Sequence, residues 1–174
     1  MKKRLNMVVA LFAALAMVMT MSASAFAASI TGTDARNAAL KNCKLKKSQV
    51  KLIEVDYDDD DNMYEVEFTK KTNGAEYSFE INADTGKIQE KSVEYRYKRN
   101  HSHKKIGKTA ARKKVAKFLG IKYSTVKNGT CYYEYDDGKG IYEVRFTKGS
   151  RIYECEVLAP TGKMLEYSWK VTGV

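Results

Sequence analysis

An internal repeat is the feature of this 174-residue chain that most constrains its fold. The segment Met63–Lys70 (MYEVEFTK) returns 78 positions later as Ile141–Lys148 (IYEVRFTK). A second segment, Tyr77–Ile88, returns 76 positions later as Tyr153–Met164, with Thr-Gly-Lys at the same place in both. The offset changes by two residues between the segments, where a length-tolerant turn is expected. Such self-similarity is typical of a duplicated structural unit, so both copies should form the same elements.

The N-terminus has the order of a secretory signal peptide. Three basic residues at positions 2–4 precede an apolar run from Met7 to Val18, and small residues follow as far as Ala27. The apolar run is shorter than the roughly 20 residues that a transmembrane helix needs. We therefore predict a signal peptide over residues 1–27 and a mature chain that lies outside the membrane without stable insertion. An uncleaved anchor is the alternative.

Each copy begins with a helical pattern. In the second copy apolar residues recur at helical spacing, namely Ala111, Val115, Phe118 and Leu119. Gly120 follows them and is a typical C-terminal stop. The first copy has a weaker pattern at the matching positions, formed by Ala35, Ala39 and Cys43. Thr33 is the predicted N-cap of this first helix.

Strands follow the helix in each copy. Apolar and polar residues alternate over residues 53–57, 64–68 and 77–81, and a fourth strand is predicted over residues 88–95 and again over 164–171. One apolar and one polar face indicate an antiparallel sheet that a helix covers on one side. We therefore predict an α+β fold of two tandem modules, each with one helix packed on a three- to four-stranded antiparallel meander.

The repeated elements resemble a known family, the PepSY domain. The resemblance depends on a Tyr-x-Val-x-Phe strand and a Thr-Gly-Lys turn in both copies, which include Tyr64, Val66, Phe68 and Gly86, and Tyr142, Val144, Phe146 and Gly162. PepSY domains occur in propeptides of secreted metallopeptidases and in bacterial envelope proteins. The resemblance implies a secreted or envelope-associated, non-catalytic binding module that restrains or inhibits a peptidase. No catalytic or cofactor-binding residues are carried over, and we expect any target peptidase to be a separate protein.

Charge differs between the two halves of the mature chain. Residues 28–95 hold ten basic and fourteen acidic side chains, whereas residues 96–174 hold eighteen and seven. We divide the chain into a first module over residues 28–95, a basic linker over 96–106 and a second module over 107–174. The contrast predicts that the second half dominates any attraction to anionic surfaces.

The basic residues of the linker and the second helix predict a positive patch. Its members are Arg96, Lys98, Arg99, Lys104, Lys105, Lys108, Arg112, Lys113, Lys114 and Lys117. Outside the membrane such a patch would bind an anionic cell-wall polymer before nucleic acid, and we expect no nucleic-acid partner. The alternative function is thus a structural or adhesive protein that is attached to the wall through its second half. The alternative to a binding patch is a helix face that is only solvated.

Candidate metal and catalytic residues are few. The acidic run over residues 56–62 has the spacing of an EF-hand loop, but Asp61 occupies the position that requires Gly. A solvated hairpin turn is the better interpretation, and calcium binding stays open. The two histidines of the chain, His101 and His103, do not complete a tetrahedral zinc site and leave little with which to assemble a Ser-His-Asp site. We predict no catalytic residues, no metal and no cofactor.

Three cysteines remain after signal cleavage. Each replaces an apolar residue of the other copy, since Cys43, Cys131 and Cys155 stand opposite Leu119, Ile53 and Phe79. We therefore predict three buried free thiols that react slowly until the protein unfolds. In a meander one strand lies between Cys131 and Cys155, so their Cα atoms should be about 10 Å apart. A disulfide cannot bridge more than about 7 Å. Mass spectrometry of non-reduced, alkylated protein tests this prediction.

Overall fold

A capped helix opens the described part of the chain. The computed structural model describes residues 30–97, 104–136 and 138–172. The predicted signal peptide, Lys98, Arg99 and both histidines lie outside these residues. Thr31 is the N-cap of helix α1 (Gly32–Asn42): its hydroxyl accepts a hydrogen bond from the Asp34 amide at 3.2 Å, and its own amide donates to the Asp34 carboxylate at 3.0 Å. The predicted cap, Thr33, is therefore wrong by two residues.

Four strands follow helix α1, after a short 3-10 turn over Lys47–Gln49. They are β1 (Val50–Asp58), β2 (Met63–Lys70), β3 (Glu76–Asn82) and β4 (Ile88–Glu94). The second half has helices α2 (Lys108–Leu119) and α3 (Tyr123–Lys127), then β5 (Thr130–Asp136), β6 (Lys139–Lys148), β7 (Arg151–Leu158) and β8 (Met164–Val171).

Helix α3 was not predicted, since one helix was expected in each copy. Its five residues include Thr125 and Val126, whose β-branched side chains lower helix propensity. Val126 is fully buried in the core of the second half. Tertiary packing thus outweighs a weak local preference, whereas the corresponding segment of the first half forms only the 3-10 turn.

All eight strands belong to one antiparallel sheet with the order β1-β2-β3-β4-β8-β7-β6-β5. Each half is a four-stranded meander, as predicted. The two meanders form one continuous sheet, because β4 pairs with β8 and sets Ser92 opposite Ser168. We call this β4–β8 pairing the seam. It has a simple physical basis: pairing the two fourth strands satisfies backbone N–H and C=O groups that would otherwise lie on two open edges.

The helices lie on one face of the sheet, over two apolar clusters. The first cluster consists of buried residues of α1, β1, β2 and β3, including Ala35, Ala39, Val66, Phe68, Phe79 and Ile81. The second is built on α2, α3, β6 and β7 and includes Ala111, Val115, Val126, Val144, Phe146 and Val157. No helix among the described residues covers the opposite face, which we call the open face.

Side chains join the two halves at the seam. Lys91 is buried on the helix-covered face, where its ammonium donates a hydrogen bond to Asn42 Oδ1 at 3.0 Å and lies 5.4 Å from the centre of the Phe79 ring. Burial lowers the pKa of this lysine. Its register neighbour across the seam, Trp169, is also buried and carries the Arg151 guanidinium 3.7 Å above its ring.

The cysteines follow the meander order. Val144 of β6 is in register with both Cys131 and Cys155, so a strand separates these two thiols. Both are buried, whereas Cys43 is only half-buried, because helix α1 ends at Asn42 and leaves Cys43 as its C-cap. Burial raises the pKa of all three thiols and brings that of Cys155 to about 12. Their slow reaction in the folded protein stays a prediction.

Lys44, two residues after the end of helix α1, has a strained backbone conformation that permits a stability test. Lys44 has φ +55, and Gly120 occupies the equivalent left-handed position after α2 with φ +65. We expect Lys44→Gly to raise the free energy of unfolding by about 0.5–1 kcal/mol, because a non-glycine residue in this region costs about 1–2 kcal/mol and glycine returns part of this as chain entropy. Urea denaturation measures this change in the free energy of unfolding. Lys44→Ala keeps a Cβ and should give no such gain, and a Gly variant no more stable than this control would contradict the prediction.

Candidate functional site

The structure splits the predicted positive patch into separate groups. Lys113, Lys114 and Lys117 are exposed on the outer side of helix α2. Lys105 and Lys108 lie instead toward edge strand β5, with ammonium groups 3.6 Å and 5.9 Å from the ring centres of Tyr133 and Tyr132.

The two described arginines of the patch have other roles. Arg112 is half-buried and donates from Nη2 to the carbonyl oxygen of Gly129 at 2.9 Å. Arg96 forms an exposed ion pair with Glu76 of β3 at 3.3 Å. These two arginines thus serve local structure. Among the described members of the patch, Lys113, Lys114 and Lys117 lie together on α2, and Lys104 is exposed near the beginning of this helix. Lys98 and Arg99 lie outside the described residues.

The acidic run of the first half forms the turn between β1 and β2. Asp58 Oδ1 accepts hydrogen bonds from the backbone amides of Asp60 and Asp61 at 3.0 Å and 3.4 Å, and the side-chain amide of Asn62 donates to Asp84 at 2.8 Å. Within the described ranges, no group of three His, Cys, Asp or Glu side chains is arranged to hold a metal ion.

The open face of the sheet is lined by carboxylates in register. One row crosses five adjacent strands, β3, β4, β8, β7 and β6, and consists of Glu76, Glu94, Glu166, Glu156 and Glu143. A second row crosses β1 to β4 and consists of Asp56, Glu65, Glu80 and Glu90. We call these two rows together the acidic face.

Like charges in these rows oppose one another. Neighbouring strands are about 4.8 Å apart, and like charges directly opposite destabilise a sheet. Partial burial, followed by the charges of Glu166 and Glu143, raises the pKa of Glu156 to about 7. Burial is also the main cause that raises the pKa of Glu65, Glu80, Glu143 and Glu166. The acidic face therefore holds its charge at an energetic cost.

A shallow depression of about 400 Å³ lies in the second half of this face. Its lining combines the long carboxylate row with polar and aromatic neighbours, including Glu143, Glu156, Glu166, Ser168, Arg145 and Tyr132. Tyr132, on edge strand β5, is 61% exposed and offers an apolar contact beside the carboxylates. Arg145 and Glu154 form an exposed ion pair at 3.2 Å within the same depression. An open, charged surface of this kind suits a macromolecular partner better than a small molecule, which prefers an enclosed apolar pocket.

This face was not predicted from the sequence, although the alternating pattern gives each strand one polar side. The signal present in the sequence is the repeated glutamate at alternate strand positions, as in Glu65 and Glu143. The long row, however, forms only because the seam brings Glu94 opposite Glu166. That pairing joins residues from the two copies and has no local signature.

No helix in the described part of the chain is long and apolar enough to cross a membrane. The described residues have an α+β architecture, with one antiparallel sheet, helices on one face and an acidic open face.

Comparison with family models finds a match in the first half of the chain. Residues 29–91 match the PepSY family, described as "Peptidase propeptide and YPEB domain". This match confirms the resemblance to PepSY for the first copy of the repeat. PepSY domains are in general non-catalytic propeptide or binding modules. No curated protein matches the chain.

Three solved structures that match the chain share little sequence with it. A protein described as a lipoprotein from Clostridium difficile 630 is 19% identical, with 82% of this chain and 94% of that chain covered and a TM-score of 0.32. The C-terminal domain of YpeB from Bacillus megaterium is 14% identical, with 79% and 62% covered and a TM-score of 0.45. A cysteine-rich secretory protein from Staphylococcus aureus is 14% identical, with 77% and 44% covered and a TM-score of 0.35.

Proposed function

We propose that this protein is an exported, non-catalytic binding module that restrains a secreted or envelope peptidase. The observation that carries the proposal is the PepSY match over residues 29–91, because the family description names peptidase propeptides. We further propose that residues 107–174 form a second module of the same kind, since the two halves have the same order of helix and four strands. The predicted signal peptide supports an extracytoplasmic location.

The geometry is consistent with binding to a large partner. The described helices all pack on one face of the eight-stranded sheet, and within residues 30–97, 104–136 and 138–172 no helix covers the other face. The depression on this face is open rather than enclosed. Stable protein interfaces bury about 800 Å² on each partner, an area that a continuous sheet face can supply.

Inhibition of peptidases from the same organism tests the proposal. The purified mature chain should slow hydrolysis of a peptide substrate by at least one secreted metallopeptidase, with an effect that saturates as the chain is added. Heat-unfolded chain is the control for substrate competition, because it keeps the composition but loses the fold. Undiminished hydrolysis by every secreted peptidase would contradict the proposed function.

Attachment to anionic wall polymers is a second candidate function, favoured by the three exposed lysines of α2, Lys113, Lys114 and Lys117. We expect replacement of all three by alanine to weaken retention on purified cell wall several-fold at 0.1 M salt. Retention of the unmodified chain should fade at 1 M salt, where the screening length falls from about 10 Å to about 3 Å. The matched control replaces Lys44, Lys46 and Lys47, which are exposed in the first half. Equal losses in both triple variants would show that net charge, not the α2 surface, attracts the wall.

A further inference from the structure

The acidic and basic side chains of the folded chain differ more between the two faces of the sheet than between the two halves of the sequence. The second half has a strong excess of basic residues, yet all five of its strand glutamates lie on the open face: Glu134, Glu143, Glu154, Glu156 and Glu166. The lysines of α2 belong to the opposite, helix-covered side. The long carboxylate row therefore continues from the negatively charged first half into the positively charged second half. The second row instead ends at the seam, where Lys170 lies opposite Glu90.

The middle of the long row contains no basic residue in its own register, and Lys139 is the basic residue that acts on Glu156 from outside the row. From Glu94 through Glu166 and Glu156 to Glu143, four successive strands place a glutamate at the same level, with no basic residue between them. The ion pairs flank this stretch: Arg96 contacts Glu76 at one end, and Arg145 contacts Glu154 in the adjacent row. Cations supplied from outside would relieve the repulsion that the sheet imposes here.

The shape of the open face also favours a basic partner at the long carboxylate row. The depression of about 400 Å³ lies over Glu143, Glu156 and Glu166, and the exposed ring of Tyr132 borders it. A lysine or arginine side chain that enters the depression can contact a carboxylate with its charged head and the ring with its stem or guanidinium plane. Arginine in particular pairs with carboxylates through two parallel hydrogen bonds.

We propose that the acidic face is a docking surface for a protein partner that presents a lysine- and arginine-rich segment, with the row from Glu94 to Glu143 at its centre. This inference deepens the proposed function by naming the surface and the chemistry of the partner, and it rests on that function where the partner is a peptidase. The basic segment lies over the depression, and its cations replace the absent counter-charges of the row.

The test measures binding of a fluorescent, arginine- and lysine-rich peptide to the full mature chain by anisotropy. The triple variant Glu94→Gln, Glu156→Gln and Glu166→Gln removes three charges from the face. The matched control, Asp58→Asn, Asp59→Asn and Asp60→Asn, removes three charges from the exposed turn between β1 and β2. We expect the face variant to weaken binding roughly tenfold or more at 0.1 M salt and the turn variant to stay within about twofold of the unmodified chain.

Two results would overturn the inference: no binding of the peptide, or equal weakening in the face and turn variants. The face variant should remain folded, because amides replace carboxylates that repel one another, and circular dichroism checks this. The same variants separate the inference from the proposed function. Peptidase inhibition that survives the face substitutions refutes this surface alone, whereas peptide binding without inhibition of any peptidase refutes the inhibitory function alone.

Discussion

Replacing Trp169 with alanine should lower the free energy of unfolding by about 3–5 kcal/mol, the usual cost of removing a buried aromatic side chain. Trp169 lies on β8 and is only 6% exposed. It is in register with Lys91 of β4 on one side and Tyr153 of β7 on the other. Its ring supports the Arg151 guanidinium at 3.7 Å. The substitution therefore opens a cavity at the seam that joins the two halves.

Urea denaturation followed by circular dichroism measures this loss. Tyr132→Ala is the matched control, since it also removes a large aromatic ring from a strand but from a site that is 61% exposed, and it should cost about 0.5 kcal/mol or less. The continuous sheet further predicts that the unmodified chain unfolds in one cooperative transition. Two results would show that the seam contributes little to stability. One is a loss of less than about 1 kcal/mol in the Trp169→Ala variant, and the other is unfolding of the unmodified chain in two steps.

Glu156→Gln should raise stability above neutral pH by about 1–3 kcal/mol and change it little near pH 4. The folded-state pKa of Glu156 is raised to about 7 by burial and by the neighbouring Glu166 and Glu143, whereas an unfolded glutamate has a pKa near 4.3. Between these two values the folded chain binds more protons than the unfolded chain. The contribution of Glu156 to the free energy of unfolding therefore falls as pH rises from about 4.3 to 7. Glutamine cannot ionise, so the variant escapes this loss. The expected gain is smaller than the full pKa shift would give, because water still reaches part of the side chain.

The measurement compares urea midpoints of variant and unmodified chain at several pH values between 4 and 8. Glu54→Gln makes the same chemical change at an exposed position on β1, the edge strand far from the seam, and should alter stability by less than about 0.5 kcal/mol throughout. A difference between Glu156→Gln and the unmodified chain that does not grow with pH would contradict the role of the row.

Local pattern was sufficient for most of the elements. Alternation in Tyr64, Val66 and Phe68 predicted a strand with one apolar face, and these three residues do face the first core. Gly120, with φ +65, ends α2 as expected from its place after the apolar run. The N-cap was misplaced because Thr31 and Thr33 are both acceptable caps, and the choice depends on the reciprocal hydrogen bonds with Asp34.

The positions of residues at the seam could not be predicted from local pattern. Lys91 occupies a buried position on the helix-covered face, where the alternation of β4 would call for an apolar residue. Its surroundings explain its place: the side chains of Asn42 and Cys43 at the end of α1 and the rings of Phe79 and Tyr167 lie around its ammonium group. Trp169 carried no distinct signal for a similar reason, since its neighbours come from β4 and β7.

The sequence by itself determined the order of helix and strands, the face of each strand that is apolar, and the meander that separates Cys131 from Cys155. These properties follow from residue periodicity and turn chemistry, which act over a few neighbouring positions. Only the tertiary structure decided that both meanders share one sheet and that Glu94 meets Glu166 to continue the carboxylate row. Pairing between the two halves depends on backbone hydrogen bonds and packing between residues more than seventy positions apart, and no local pattern specifies such a partner.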